Sequence, residues 1–297
     1  MNGVVLINKE KEYTSFDVVA VVRKLTGQKK AGHTGTLDPN ATGVLPVLLG
    51  TATKAQDIIP CRDKSYRADF RFGVATDTLD IWGEVLEEKP ANVTVDQLEE
   101  ALRSFRGEIE QLPPMYSAVS VDGKRLYQYA REGREVERRP RKVTVYSLEL
   151  AAFDESTQSG TLDIRCSNGT YVRTVIDDLA RSLGTVGVMT GLVRCEACGY
   201  RLDECMTLGE LRQHIESGDM SFLRSVESIF TDYDELVVSD KQAHRFVNGN
   251  PLDIARTELR NGTEDKKIYR VKDRQGAFLS LGIVDVDKDV LKMYKHF

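Results

Sequence analysis

Two hydrophobic periods interleave along this chain, one of about two residues and one of three to four. Val4–Ile7 is an unbroken apolar run and reads as a first strand. Val18, Val22 and Leu25 then recur at helical spacing, with Ser15 as the expected N-cap and Gly27 as the stop. Ala68, Phe70 and Phe72 alternate with Asp69 and Arg71, the pattern of a half-buried strand. Thr94 and Gln97 form a capping box that starts a helix with Leu98, Leu102 and Phe105 on its face and Gly107 at its end. Leu162, Ile164 and Cys166 alternate again before a turn at Ser167-Asn168-Gly169. A helix with Val175, Ile176, Leu179 and Leu183 follows Tyr171 and Arg173, and Thr207 and Glu210 make another capping box. The elements mix without a regular βαβ rhythm, which indicates an α+β fold.

A boundary is expected near Asp232–Leu236. Beyond it Ser239 and Gln242 cap a short helix ending at Gly249, and strands Ile268–Val271 and Ala277–Val284 flank a turn at Asp273-Arg274-Gln275-Gly276. The tail reads as a small β-rich unit. There is no internal repeat and no low-complexity segment.

Composition narrows the class. The 297 residues, 41% hydrophobic, suffice for one large domain and a small one. No run is long enough to span a bilayer, and the first apolar run is too short for a signal-peptide core, so a cytoplasmic location is expected. Five cysteines do not suggest a disulfide framework. Cys195 and Cys198 are spaced like metal ligands, with Cys205 and His214 downstream. The segment Leu192–Cys198 reads as a strand, on which residues three apart face opposite sides, and a second such cysteine pair is missing, so no metal is expected. The net charge of −5 gives no global pull on nucleic acid. Binding of a phosphate backbone needs only a local basic surface, and Lys124, Arg125, Arg131, Arg134, Arg138, Arg139, Arg141 and Lys142 supply one against Glu132, Glu135 and Glu137. Taken alone, that run is a solvated charged loop.

The densest chemistry lies in Gly32-His33-Thr34-Gly35-Thr36-Leu37-Asp38-Pro39-Asn40-Ala41-Thr42-Gly43, which runs into the apolar Val44-Leu45-Pro46-Val47-Leu48-Leu49. Pro39 biases Asp38 away from helical angles, so one carboxylate is presented in a glycine- and threonine-rich loop. This stretch resembles the signature of the bacterial tRNA pseudouridine-55 synthase family. The resemblance covers residues 1–232 well and the C-terminal segment loosely.

The resemblance implies a pseudouridine synthase fold with a mixed, largely antiparallel central sheet flanked by helices. It implies a catalytic domain over 1–232 with a basic RNA-binding insertion near 113–145, and a small C-terminal PUA-like or RNA-binding domain over 237–297. The implied reaction isomerises uridine 55 of the tRNA T-loop by base flipping, and Asp38 takes the place of the essential aspartate. Arg173 matches the arginine that pairs with it, expected as a two-point contact. Tyr66 matches the tyrosine that stacks on the target base, Tyr171 a neighbour in the pocket, and Leu192 a wall of it. His33 matches a residue that contacts the reorganised RNA loop. Lys9 matches an N-terminal lysine, although Glu10 and Glu12 stand where the family has proline and glycine, and Val193 replaces one of two adjacent arginines, leaving Arg194.

The implied reaction neither gains nor loses atoms or electrons, so it needs no redox cofactor. Asp38 suits either of two roles, nucleophile at C1′ or base at C2′. An ordinary tyrosine is a weak base at neutral pH, so stacking is the first role of Tyr66 and removal of the C5 proton the second. tRNA is the expected partner of a monomer without an obligatory protein partner. A non-catalytic RNA-binding protein on the same scaffold would explain the insertion and the tail, but not Asp38, Tyr66 and Arg173 together. No glycine loop ends in Gly-Lys-Ser or Gly-Lys-Thr, which excludes a phosphate-loop nucleotidase.

Overall fold

A computed structural model describes residues 1–297. The main sheet is carried by β1 (Gly3–Lys9), β2 (Ala31–His33), β3 (Thr42–Leu49), β4 (Lys64–Phe72), β5 (Gly107–Gln111), β6 (Arg141–Asp154), β7 (Ser159–Cys166) and β8 (Gly187–Ala197). Their spatial order is β1-β3-β8-β4-β7-β6-β5; β2 also pairs β3, and two-residue strands pair β1 and β8. Every pairing is antiparallel except that of β3 with β8, where Thr42 and Gly43 face Val193 and Arg194. Gly43 permits this junction: its φ is +109° and a Cβ there would meet the Arg194 carbonyl oxygen at 2.2 Å. The sheet is thus mixed and largely antiparallel, as expected.

The alternation in β4 is realised literally. Tyr66, Ala68, Phe70 and Phe72 are buried and the residues between them are not. They face α2 (Val95–Arg103) and α4 (Val172–Ser182) through Leu98, Leu102, Val175, Ile176 and Leu179, and the short α3 (Leu126–Arg131) lies between these two helices in the chain. Val4–Ile7 of β1 is an unbroken apolar run because the strand is covered on both sides. Val5 and Ile7 pack on α1 (Ser15–Thr26) and α5 (Leu208–Ser217), while Val4 and Leu6 join Phe230 and Leu281.

Several boundaries differ from the sequence reading. Thr14, not Ser15, caps α1, in a capping box with Asp17. The Ser15 hydroxyl instead accepts from Leu37 N at 2.8 Å, tying the helix to the Asp38 loop. α2 stops at Arg103, and Gly107 opens β5 rather than closing the helix. β8 ends at Ala197, and Cys198, at φ +56°, sits in the turn that follows. The strand read through Leu192–Cys198 therefore holds as far as Ala197 and stops one residue short, with Cys198 the first residue of the turn. No three His, Cys, Asp or Glu side chains are gathered in a metal-holding group.

The C-terminal sheet has five strands rather than two, in the order Asp234–Val237, Ile268–Lys272, Phe278–Asp285, Val290–Lys295, Leu252–Asp253. It surrounds its own core of Leu236, Phe246, Val271, Val284 and Leu291. No helix is long and apolar enough to cross a membrane.

Candidate active site

The loop 34–41 is suspended between β2 and β3 by buried side chains beneath it. Arg194 on β8 is fully buried and donates to the carbonyls of Val44 at 2.8 Å, Thr36 at 3.3 Å and Gly35 at 3.2 Å. Lys9, also fully buried, gives its Nζ to the carbonyls of Tyr13 at 2.6 Å, Glu10 at 2.9 Å and Pro39 at 2.9 Å. Burial lowers its pKa to about 8. All three of its donors are spent on backbone, so Lys9 is a support of the Asp38-Pro39 turn and not a contact for a substrate. This corrects the sequence expectation.

Asp38 stands at the neck between two adjoining cavities. The inner one, about 230 Å³, is lined by Lys64, Tyr66, Asn168, Tyr171 and Leu192. The outer one, about 820 Å³, is bordered by Phe16, His33, Trp82, Tyr116, Arg125 and Arg131. Asp38, Arg173 and Leu192 line both. The structure thus gathers Asp38, Tyr66, Tyr171, Arg173 and Leu192 at one place, and puts His33 on the outer rim.

Arg173 lies in the first turn of α4, where its side chain is 6% exposed. Its Nε meets Asp38 Oδ2 at 3.0 Å. The two-point contact expected from sequence does not form. Nη1 donates to the Thr78 carbonyl at 2.8 Å and Nη2 to the Tyr116 carbonyl at 2.9 Å. Those backbone acceptors, on a turn and a strap flanking the cleft, take the fork and leave one edge for the carboxylate.

A second carboxylate, unread in the sequence, completes the arrangement. Asp80 Oδ2 is 3.9 Å from Arg173 Nη1. Its Oδ1 accepts from the Thr78 hydroxyl at 2.7 Å and Trp82 N at 3.2 Å. Burial raises its pKa against the pull of the Thr78 hydroxyl and Arg173. The signal available was the Thr76-Asp77-Thr78-Leu79-Asp80 turn directly after a strand. Gln111 was also missed. It is buried and clamps Tyr171 from both sides, accepting from its N at 2.7 Å and donating to its carbonyl at 3.0 Å.

Burial pushes the Tyr66 phenol up to about 12. Burial, with Arg194 nearby, lowers the His33 pKa, and its ring meets Phe16 edge-on at 6.0 Å. In the basic insertion, Lys124 and Arg134 pair with Glu132, Arg138 with Glu135 and Lys142 with Glu108. Arg125 and Arg131 face the outer cavity instead, and Arg131 lies over the Tyr127 ring at 5.4 Å.

Known proteins are similar in sequence to this chain over nearly its whole length. The sequence is 42% identical over 282 residues to tRNA pseudouridine synthase B of Lactobacillus delbrueckii subsp. bulgaricus, covering 91% of this chain and 94% of that protein. It is 41% identical to the Clostridium perfringens protein of the same name, covering 95% of each. The likeness therefore reaches well into the C-terminal sheet, further than the motifs suggested. Two solved assemblies share the fold at a TM-score of 0.75. One is an H/ACA RNP bound to a substrate RNA containing 2′-deoxyuridine, at 20% identity; the other is a Cbf5-Nop10-Gar1 complex, at 22%. Each match covers 99% of this chain and 84% of the other. Residues 23–172 match the model of the TruB family pseudouridylate synthase N-terminal domain. With half the chain matched by that model and relatives above 40% identity along its length, the chain belongs to the TruB family of pseudouridylate synthases.

Proposed function

We propose that the chain converts uridine 55 in the T-loop of tRNA to pseudouridine, with Asp38 as the essential catalytic carboxylate. The observation that carries this is the position of Asp38 at the neck of the two cavities, held by Arg173 at 3.0 Å. A nucleotide entering from the outer cleft with its base in the inner cavity sets its ribose at that neck, where C1′ and C2′ must meet the carboxylate. C1′ is hidden in a stacked nucleotide, so the target is everted first. Stacking on Tyr66 is worth about 1–3 kcal/mol and offsets part of the cost of flipping.

The glycosidic C1′–N1 bond breaks, the uracil turns, and C5 bonds to C1′. Asp38 acts as the nucleophile at C1′ or as the base at C2′, and Arg173 Nε holds its carboxylate at 3.0 Å for either role. A phenol raised to about 12 is protonated at neutral pH, which favours stacking over proton removal for Tyr66. Leu192 and Tyr171 wall the uracil. His33 and Arg125 meet the reorganised loop, and the insertion near 113–145 grips the T-arm through its unpaired arginines. Residues 1–232 form the catalytic domain and 237–297 a PUA-like unit that touches the tRNA. The protein works as a cytoplasmic monomer.

The test is Asp38→Asn, assayed for release of the C5 hydrogen from labelled uridine and for tRNA affinity. Release is expected to vanish while affinity stays within about threefold, since the amide keeps the shape of the site and loses the charge and the nucleophile. Release at the normal rate would refute the assignment.

A further inference from the structure

Lys64 is a cation in the inner cavity whose charge the proposed mechanism leaves unused. It extends from β4 on the same face as Tyr66 and is 8% exposed. Its Nζ donates to Asn168 Oδ1 at 2.7 Å and to the Arg62 carbonyl at 3.1 Å. An ammonium has three N–H donors, so one remains without a protein acceptor, and no carboxylate pairs with it. Withdrawing a cation from water without a counter-charge is costly, and burial accordingly lowers the Lys64 pKa. Its neighbour Arg194 is also positive. Both side chains run beneath Gly35, with Lys64 Cε at 3.5 Å and Arg194 Nη1 at 3.8 Å from where a Cβ on that residue would stand.

A cavity that holds an uncompensated cation suits a reaction that creates an anion there. When the C1′–N1 bond breaks, its electron pair leaves with the base and the negative charge spreads over O2 and O4 of the uracil. We propose that Lys64 is a catalytic residue that anchors the detached uracil: its third N–H donates to a ring carbonyl oxygen, and its charge stabilises the uracil anion while the base turns. Asn168 holds the ammonium in position. No proton passes to or from Lys64. The C5=C6 π pair forms the new C5–C1′ bond, C5 then loses its proton, and N1 takes one up, so atoms and electrons balance. This inference rests on the inner cavity being the uracil site.

Two substitutions test it, each read by tRNA affinity, single-turnover rate and melting temperature. Lys64→Met removes the charge and keeps the stem. It is expected to bind tRNA within about threefold of the parent and to react about a hundredfold more slowly, the usual cost of removing one preorganised donor to a developing anion. Asn168→Asp gives Lys64 a permanent counter-ion. It is expected to raise the melting temperature and yet slow the reaction at least about tenfold. A lysine with only a structural role would not separate those two readouts. If Lys64→Met does not fold, Asn168→Asp decides alone. The proposal is overturned if Asn168→Asp reacts at the parent rate, or if Lys64→Met loses affinity in proportion to rate. A parent protein that forms no pseudouridine in tRNA would instead overturn the functional reading itself.

Discussion

Asp38 owes its place to buried side chains around its loop. Lys9, Ser15 and Arg194 hold the loop from below through backbone groups, and Arg173 meets the carboxylate from the side. Asp80 in turn faces Arg173, so the cation has two anions and two carbonyls around it. Asp80→Asn keeps acceptors for Thr78 and Trp82 but removes the charge. The expected result is isomerisation about 10–100-fold slower with tRNA affinity unchanged, on the scale of losing one positioned charge contact; single-turnover kinetics beside a binding titration check it. His33 makes a separate prediction about acid. Its pKa is lowered in the folded state, so below about pH 6.5 the unfolded chain binds a proton that the folded chain refuses, and stability falls as pH falls. His33→Gln should flatten that loss by up to about 1.4 kcal/mol per pH unit, visible in denaturant titrations of both proteins between pH 7 and 5. At this scale the sequence showed Asp38 through a long contiguous motif, and Tyr66 and Arg173 through the short separate stretches 64–67 and 169–173 that match the same family. It did not show Asp80 or Gln111, whose roles arise from contacts across 93 and 60 residues.

Elements were legible where the information is local. The boxes of Thr94 with Gln97 and of Thr207 with Glu210 form as read, because capping depends on residues three apart. The box of Thr14 with Asp17 was passed over for Ser15, whose hydroxyl is claimed by Leu37, 22 residues away. Helix length was misjudged after Arg103, where pairing of Gly107–Gln111 with β6 overrides a helical pattern. The departures at Glu10 and Glu12 also have an element-scale cost. Glu12 has φ +69° where the family has glycine, and its N–H donates to the Pro39 carbonyl at 3.0 Å. A non-glycine residue in that region costs about 1–2 kcal/mol, partly offset by the greater unfolded-state freedom of glycine. Glu12→Gly should therefore stabilise the protein by ~0.5–1 kcal/mol and raise the melting temperature by about 1–4 °C in calorimetry.

At the scale of the whole molecule, the main sheet and the C-terminal sheet share a cluster in which Phe230 meets Phe278 and Phe297. Beside it Glu227 bridges Arg270 and Lys272, each at 2.8 Å, and all three side chains are less than 20% exposed. Glu227→Ala would leave the half-buried Arg270 and Lys272 with Glu235 as their remaining anion, at a cost of about 1–3 kcal/mol. Hydrogen exchange should then speed up across 234–297 before it changes in β4 or β7; uniform protection would contradict this. Only two of the five C-terminal strands were read from sequence: Asp234–Val237 and Leu252–Asp253 are edge strands whose partners lie far along the chain, and Val290–Lys295, which pairs with the adjacent Phe278–Asp285, fully buries only Leu291. The central claim, that a charged Asp38 at the neck of the cleft isomerises one tRNA uridine, is tested most directly by a nucleotide-resolution pseudouridine map. Unmodified tRNA is treated with the parent protein and with Asp38→Asn. The account predicts a single new pseudouridine at position 55 with the parent and none with the variant; an unmodified tRNA in the first case, or equal modification in both, would contradict it.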